Sequence, residues 1–205
     1  MNNSPPLISQ LAKRFRGLLP IVIDMETSGL NPGINAILEI AAVTLKMDTQ
    51  GKLHKDKTYA YHVEPFPGAI IEPESLEITK IDPTYPLRYA IPERQALHRL
   101  FRITSQMLSE QQCHRAILVG HNAWFDLSFM MAAAKRSDLK DIPFHSFTTL
   151  DTATLSGVMF GETVLARAAR CARIPFDVNK AHSAIYDAEQ TAELFCHILN
   201  RTNPL

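Results

Sequence analysis

Alternation and helical spacing divide the chain into a run of strands, followed by strands that alternate with helices. In Ile21–Asn31 (IVIDMETSGLN) three β-branched apolar residues precede Asp24, Met25 and Glu26, which predicts a strand over the first six residues. Side chains alternate along a strand, so Val22, Asp24 and Glu26 share one face while Ile21, Ile23 and Met25 take the other. Thr27-Ser28-Gly29 then turns the chain. Ile37–Met47 predicts a second strand; a turn at Asp48–Lys52 and a third strand near Tyr59–Val63 complete an antiparallel meander. Six of the thirteen prolines fall between Glu64 and Pro92, predicting an irregular excursion interrupted by a short helix near Glu74–Thr79.

Downstream, Pro92 opens a helix reaching about Glu110, with proline in its first turn. Ala116–Gly120 reads as a short buried strand, Trp124–Ala134 as a helix and Phe147–Leu150 as a further strand. Helices are expected over Glu162–Cys171 and from about Ser183 to Asn200. Near the start, Leu7–Phe15 predicts a short helix with Lys13, Arg14 and Arg16 at its C-terminal end, where cations suit the helix dipole. Met1–Pro6 reads as a disordered end. The order of elements implies an α/β fold with a mixed central β-sheet flanked by helices.

Length and composition narrow this picture. With 205 residues, 46% hydrophobic and 20% charged, the chain suits one domain, 1–205, with a sizeable core. Lys and Arg number 21 against 21 Asp and Glu, so any nucleic-acid binding must use a local patch. Cys113, Cys171 and Cys196 form no CxxC pair, which points to a reducing compartment without disulfides or a zinc knuckle. No segment reads as a signal peptide or membrane span, so a cytoplasmic protein that does not engage a membrane is expected.

Four acids are the chemical feature. Asp24 and Glu26 lie on one side of a strand apolar enough to be central, and no Lys or Arg occurs between Arg16 and Lys46 to neutralise them. Asp126 shares its helical face with Phe129, Met130 and Ala133, and Asp187 shares its own with Ala184, Thr191, Leu194 and Ile198. Each acid alone also fits a solvent-reaching or locally satisfied carboxylate. Together, four unneutralised acids would cost several kcal/mol each, against the roughly 5–15 kcal/mol of a domain's stability. One or two shared divalent cations remove the difficulty, and oxygen-only ligands suit Mg²⁺ or Mn²⁺.

His182 precedes Asp187 by five residues, about 140° on a helix, so the two share a face only if His182 lies in the preceding loop. An imidazole there could accept a proton from water at neutral pH. His121, at the end of the Ala116–Gly120 strand and close to Asp126, competes for that role, although His121-Asn122 better suits a helix cap.

The order DxE (Asp24, Glu26), a helical Asp126, then HxxxxD (His182, Asp187) resembles the DEDDh family of 3′→5′ exonucleases. The likeness extends along nearly the whole chain to the ribonuclease T branch, through RFRG (Arg14–Gly17), LEIAA (Leu38–Ala42), HVEPF (His62–Phe66), FMMAAA (Phe129–Ala134) and AHSA (Ala181–Ala184). The resemblance implies a ribonuclease H-like fold, with Asp24, Glu26, Asp126 and Asp187 holding two Mg²⁺ ions that clamp the scissile phosphate. It implies His182 as general base, and nucleoside 5′-monophosphates as products. It further implies that Phe125 and Phe147 stack on the last bases and that Glu74 helps to read the terminal one. Leu30 and Ile78 stand where the branch has phenylalanine, removing faces worth roughly 1–3 kcal/mol per stacked base.

A homodimer is implied as well, with a basic patch of Arg14, Arg16, Arg115 and Lys140 on one subunit feeding RNA to the other. Ser109 stands where another lysine is expected. The substrates implied are tRNA and other stable RNA with a 3′ single-stranded overhang, and single-stranded DNA. A DNA-editing exonuclease, an oligoribonuclease and a noncatalytic nucleic-acid-binding module are the competing readings. Retention of all five acid and histidine positions argues against the last, because a pure binder gains nothing from acids beside a phosphate.

Overall fold

The structure, a computed structural model, describes residues 9–202; the segment Met1–Pro6 and the first residues of the Leu7–Phe15 helix lie outside it. Among the described residues six strands form one sheet in the order β4-β3-β2-β1-β5-β6. These are β1 (Leu18–Thr27), β2 (Ile37–Met47), β3 (Leu53–Glu64), β4 (Ile91–Pro92), β5 (Arg115–Gly120) and β6 (Phe144–Asp151). β1, β2 and β3 form the antiparallel meander, while β5 runs parallel to β1 and β6 parallel to β5. Central placement of β1 follows from its composition: Leu19, Ile21, Val22, Ile23 and Met25 are all buried, as expected of a strand covered on both faces.

Among the described residues there are seven α-helices: α1 (Gln10–Arg14), α2 (Pro73–Thr79), α3 (Glu93–Gln111), α4 (Trp124–Arg136), α5 (Thr152–Phe160), α6 (Leu165–Cys171) and α7 (Ala184–Leu199). No helix among the described residues is long and apolar enough to cross a membrane. α7 lies across β1, β2 and β3. Ala184, Ala188 and Ala192 repeat at four-residue spacing on its buried side, which lets the helix approach the sheet closely. Arg136 of α4 makes a bidentate ion pair with the buried Glu93 of α3, at 3.0 and 2.6 Å. It also donates to the Pro32 carbonyl at 3.1 Å and stacks 3.9 Å above the Phe66 ring, tying the loop after β1 to two helices. In the RFRG segment, Gly17 is left-handed (φ 82°) and a Cβ there would strike the His114 ring.

The structure differs from these expectations in four places. β3 begins at Leu53 rather than near Tyr59, because its polar first half is neutralised on the surface: Lys55 pairs with Glu193 at 3.1 Å and Asp56 with Lys46 at 3.3 Å. Residues 152–160 form α5, which periodicity does not reveal because the segment is apolar and small around its circumference. Gly161 then ends α5 in a left-handed cap, so the helix expected over Glu162–Cys171 starts only at Leu165. Pro92 closes β4 and caps α3, so the helix it was expected to open starts one residue later, at Glu93.

Candidate active site

The carboxylates converge where β1 ends. β5 stops pairing with β1 at Val22, so Asp24 and Glu26 extend past it toward α4 on one side and α7 on the other. Glu26 and Asp126 are buried, at 8% and 3% exposure, while Asp24 and Asp187 are half-buried. One ligand atom each from Glu26, His182 and Asp187 lies within 4.8 Å of the others, a spacing a metal ion can bridge. Asp24 joins through charge: burial first, then repulsion from Asp126, Glu26, Asp187 and Glu39, pushes its carboxyl far above the usual range.

The same forces act on its neighbours. Burial, then Asp187, Glu39 and Asp126, raise Glu26 to about 8. Burial raises Asp126 to about 8 although the backbone N–H groups of Asp126 and Met25 oppose the shift. Burial also raises Asp187, against the His182 N–H and the charges of His182 and His121. Four acids held together with raised proton affinity form a cluster that a divalent cation would stabilise. One atom supports that reading independently: Asp187 Oδ1 is buried without a hydrogen-bond partner, while Oδ2 accepts the His182 N–H at 2.9 Å. The donor set is all-oxygen apart from one imidazole, which fits Mg²⁺ or Mn²⁺.

His182 stands in the loop before α7 in the left-handed region, φ 64°, and is exposed. Outside the helix, it brings a ring nitrogen within 4.8 Å of ligand atoms of Glu26 and Asp187. Beside it opens a cleft of about 480 Å³ that reaches from His182 and Lys180 to Thr79 and Lys80 at the end of α2.

His121 does not cap α4. Asp151 instead caps α5, accepting from the Ala153 and Thr154 N–H groups and the Thr154 hydroxyl at 2.6 Å, and it also holds the turn before α4 by accepting from the Asn122 N–H at 2.8 Å and the Ala123 N–H at 3.4 Å. The His121 ring instead meets Thr152 Oγ1 at 3.0 Å and the Thr163 carbonyl at 2.7 Å. A carbonyl only accepts, so Nε2 carries the proton, and burial lowers the ring's affinity for a second one. His121 is thus bound into the scaffold.

Sequence reasoning also missed Glu39. Its Oε1 lies 3.0 Å from His62 Nδ1, and its Oε2 accepts the Ala184 N–H at 3.4 Å where α7 begins. Alternation offered a signal, since Glu39 interrupts an otherwise buried β2.

The remaining candidates are spread around this centre. Leu30 and Ile78 are exposed, at 78% and 57%, and Glu74 shares an α2 face with Ile78 at four-residue spacing. Their two segments are joined where Ser28 and Asn35 donate to the Ile70 carbonyl, at 2.7 and 3.0 Å. Phe125 is half-buried against Phe129, with centroids 4.8 Å apart. Phe147 is exposed on an irregular stretch of β6 and stands edge-on to His145. Arg14 is not a free cation: it donates to the Gly51 carbonyl at 3.2 Å and to that of Leu199. Arg115 donates to the Ile142 carbonyl at 3.1 Å, Arg16 is exposed, and Lys140 approaches Asp138 at 3.9 Å. Arg16 and Arg115 flank the opening of β1, the end away from the carboxylates.

A mixed sheet of this order, with acids from its central strand facing acids from two helices, defines a metal-dependent exonuclease of the ribonuclease H-like fold. Residues 21–195 match the RNase T exonuclease family, and the chain belongs to it. Ribonuclease T of Baumannia cicadellinicola is 56% identical over 194 residues, covering 95% of this chain and 89% of that protein. Among solved structures, E. coli exonuclease I in complex with a dT13 oligonucleotide superposes with a TM-score of 0.70 at 15% identity. The match covers 90% of this chain but only 41% of exonuclease I. A 3′-exonuclease described as recognising the histone mRNA stem-loop gives a TM-score of 0.70 at 16% identity, over 91% of this chain and 83% of its own.

Proposed function

We propose that this protein is a Mg²⁺-dependent 3′→5′ exoribonuclease that trims single-stranded 3′ overhangs of tRNA and other stable RNA, releasing nucleoside 5′-monophosphates. Single-stranded DNA is a further substrate. Asp24, Glu26, Asp126 and Asp187 would hold two divalent ions, Mg²⁺ or in its place Mn²⁺. Such ions supply Lewis-acid charge that eases deprotonation of water and balances charge on the leaving oxygen. The observation that carries this reading is the grouping of Glu26, His182 and Asp187 ligand atoms within 4.8 Å beside a buried, unpartnered Asp187 oxygen.

The chain's own groups divide the work. The carboxylates fix the position of the scissile phosphate, and the peptide N–H of His182 holds Asp187 Oδ2 so that Oδ1 faces the site. The exposed His182 imidazole takes the proton of the attacking water and passes it to solvent. Phe125, Phe147 and the aliphatic Leu30 and Ile78 wedge against the terminal bases, with Glu74 reading the last. The protein acts as a cytoplasmic homodimer in which Arg16, Arg115 and Lys140 of one subunit, braced by Arg14, guide RNA to the other. Location of Arg16 and Arg115 at the far end of β1 from the acids supports that division between subunits.

Incubation with Mg²⁺ and an RNA duplex carrying a short 3′ overhang tests the reading. Stepwise loss of 5′-monophosphates, stopping near the duplex and abolished by EDTA, is expected. Shortening from the 5′ end, or digestion unaffected by EDTA, would overturn it. A matched DNA oligonucleotide run beside it separates an RNA enzyme from a DNA-editing one.

A further inference from the structure

The chain has a single tryptophan, and it stays outside the core. Trp124 opens α4 with 68% of its surface exposed, although burial of a side chain this large is among the strongest contributions available to a core. It directly precedes Phe125 and lies two residues before Asp126. Its indole stands edge-on to the Phe125 ring, centroids 6.0 Å apart and planes at 90°.

The backbone beneath it is held firmly. Asn122 is left-handed at φ 66°, its N–H and that of Ala123 are bound by Asp151, and the Phe125 N–H donates to the Asn122 carbonyl at 2.9 Å. Only the two side-chain torsions of Trp124 remain to be ordered when something covers its face. Trp124 is therefore a rigidly mounted, solvent-facing aromatic surface at the entrance to a helix that carries one of the site's acids.

We propose that Trp124 is a base-stacking platform, taking an unpaired base of the 3′ strand next to the one that meets Phe125. The proposal rests on the nucleic-acid reading of the site given above. With the two rings perpendicular, one flat base cannot lie on both, so Phe125 and Trp124 engage different nucleotides. Leu30 and Ile78 offer no π-face, which leaves the indole as an exposed aromatic surface two residues along the chain from Asp126. Stacking is tolerant of base identity. Trp124 would therefore contribute grip without sequence preference and demand more than one unpaired nucleotide at the 3′ end.

As the only tryptophan, it reports on itself. The full chain with Mg²⁺ is titrated with an RNA hairpin bearing a four-nucleotide 3′ overhang, its last linkages made phosphorothioate to slow hydrolysis and its loop fluorescein-labelled. Indole emission and fluorescein anisotropy are read in parallel, the emission with unlabelled RNA. Quenching that tracks the anisotropy midpoint is expected, with Trp124→Ala weakening binding about 5- to 150-fold, the range for one stacked base, and Trp124→Phe recovering most of it. Anisotropy that rises while emission stays constant, or wild-type affinity in Trp124→Ala, would overturn stacking and leave the exonuclease reading intact. Emission that responds to protein dilution and not to RNA would likewise overturn it, assigning the indole to a subunit contact. No anisotropy change at all would sink the nucleic-acid reading and the proposal together.

Discussion

Glu26 and Glu39 sit directly opposite each other across β1 and β2, a like-charged cross-strand pair beside the other acids. Such a pair destabilises a sheet unless each member has a partner. Glu39 has two, the His62 ring and the Ala184 N–H, so it anchors the start of the helix that carries Asp187.

Removing that anchor should loosen the position of Asp187 and His182 without unfolding the protein. Glu39→Ala is expected to lower kcat/KM about 10- to 100-fold, the usual effect of losing a group that orients metal ligands. Glu39→Gln, which can still accept the Ala184 N–H, should recover most of the loss. Steady-state kinetics on a single-stranded oligonucleotide, with circular dichroism as a control on folding, decide the point; equal defects in both variants would contradict it.

The metal-free protein should become less stable as pH rises. Glu26 and Asp126 have folded-state values near 8, above ordinary carboxylate values of 4.5 and 3.8, so the folded state binds more protons between those limits. Stability is then full below about pH 4, so far as these two groups are concerned, and is lost as pH climbs toward 8, by a few kcal/mol in order of magnitude. Melting in EDTA should show Tm falling from pH 5.5 to 8.5, with Mg²⁺ flattening the decline. A Tm that climbs over that range without metal would contradict the electrostatics described here.

His182→Ala is expected to reduce kcat roughly 10²- to 10⁴-fold while Mn²⁺ binding, followed by calorimetry, changes much less. If kcat stays within a few-fold of the parent, another group moves the proton.

Basic side chains that touch phosphate reveal themselves through salt. Arg16→Ala and Lys140→Ala should each flatten the slope of log affinity against log salt by about one. Arg14→Ala should instead lower Tm, because its guanidinium is spent on the Gly51 and Leu199 carbonyls. An unchanged slope in the Arg16→Ala, Lys140→Ala double variant removes the patch from the RNA path.

Leu30→Phe with Ile78→Phe should tighten 3′-end binding by roughly 1–3 kcal/mol per base newly stacked. Equilibrium anisotropy with oligonucleotides differing only in the last base measures both the gain and any new selectivity. Identical affinities would show that neither position meets a base.

Local pattern was enough to find β2 and the Ile21–Glu26 part of β1, because both are largely apolar strands in which the acids Asp24, Glu26 and Glu39 stand out. It also placed Asp126 and Asp187 on buried helix faces, since 3.6-residue periodicity is a property of each segment alone. It could not reveal α5, whose composition carries no period, nor the polar half of β3, which is paired by Lys46 and Glu193 from elsewhere in the chain.

The partners across elements were decided by the tertiary structure. Glu39 opposite Glu26 depends on strand register, the tie from Asp151 to the turn before α4 depends on β6 ending beside it, and the withdrawal of Arg14 depends on where α7 ends. Residue type and spacing determine which side chains carry charge and which face of an element they occupy. Only packing brings residues tens of positions apart within a few ångströms, and electrostatic energy varies with that distance.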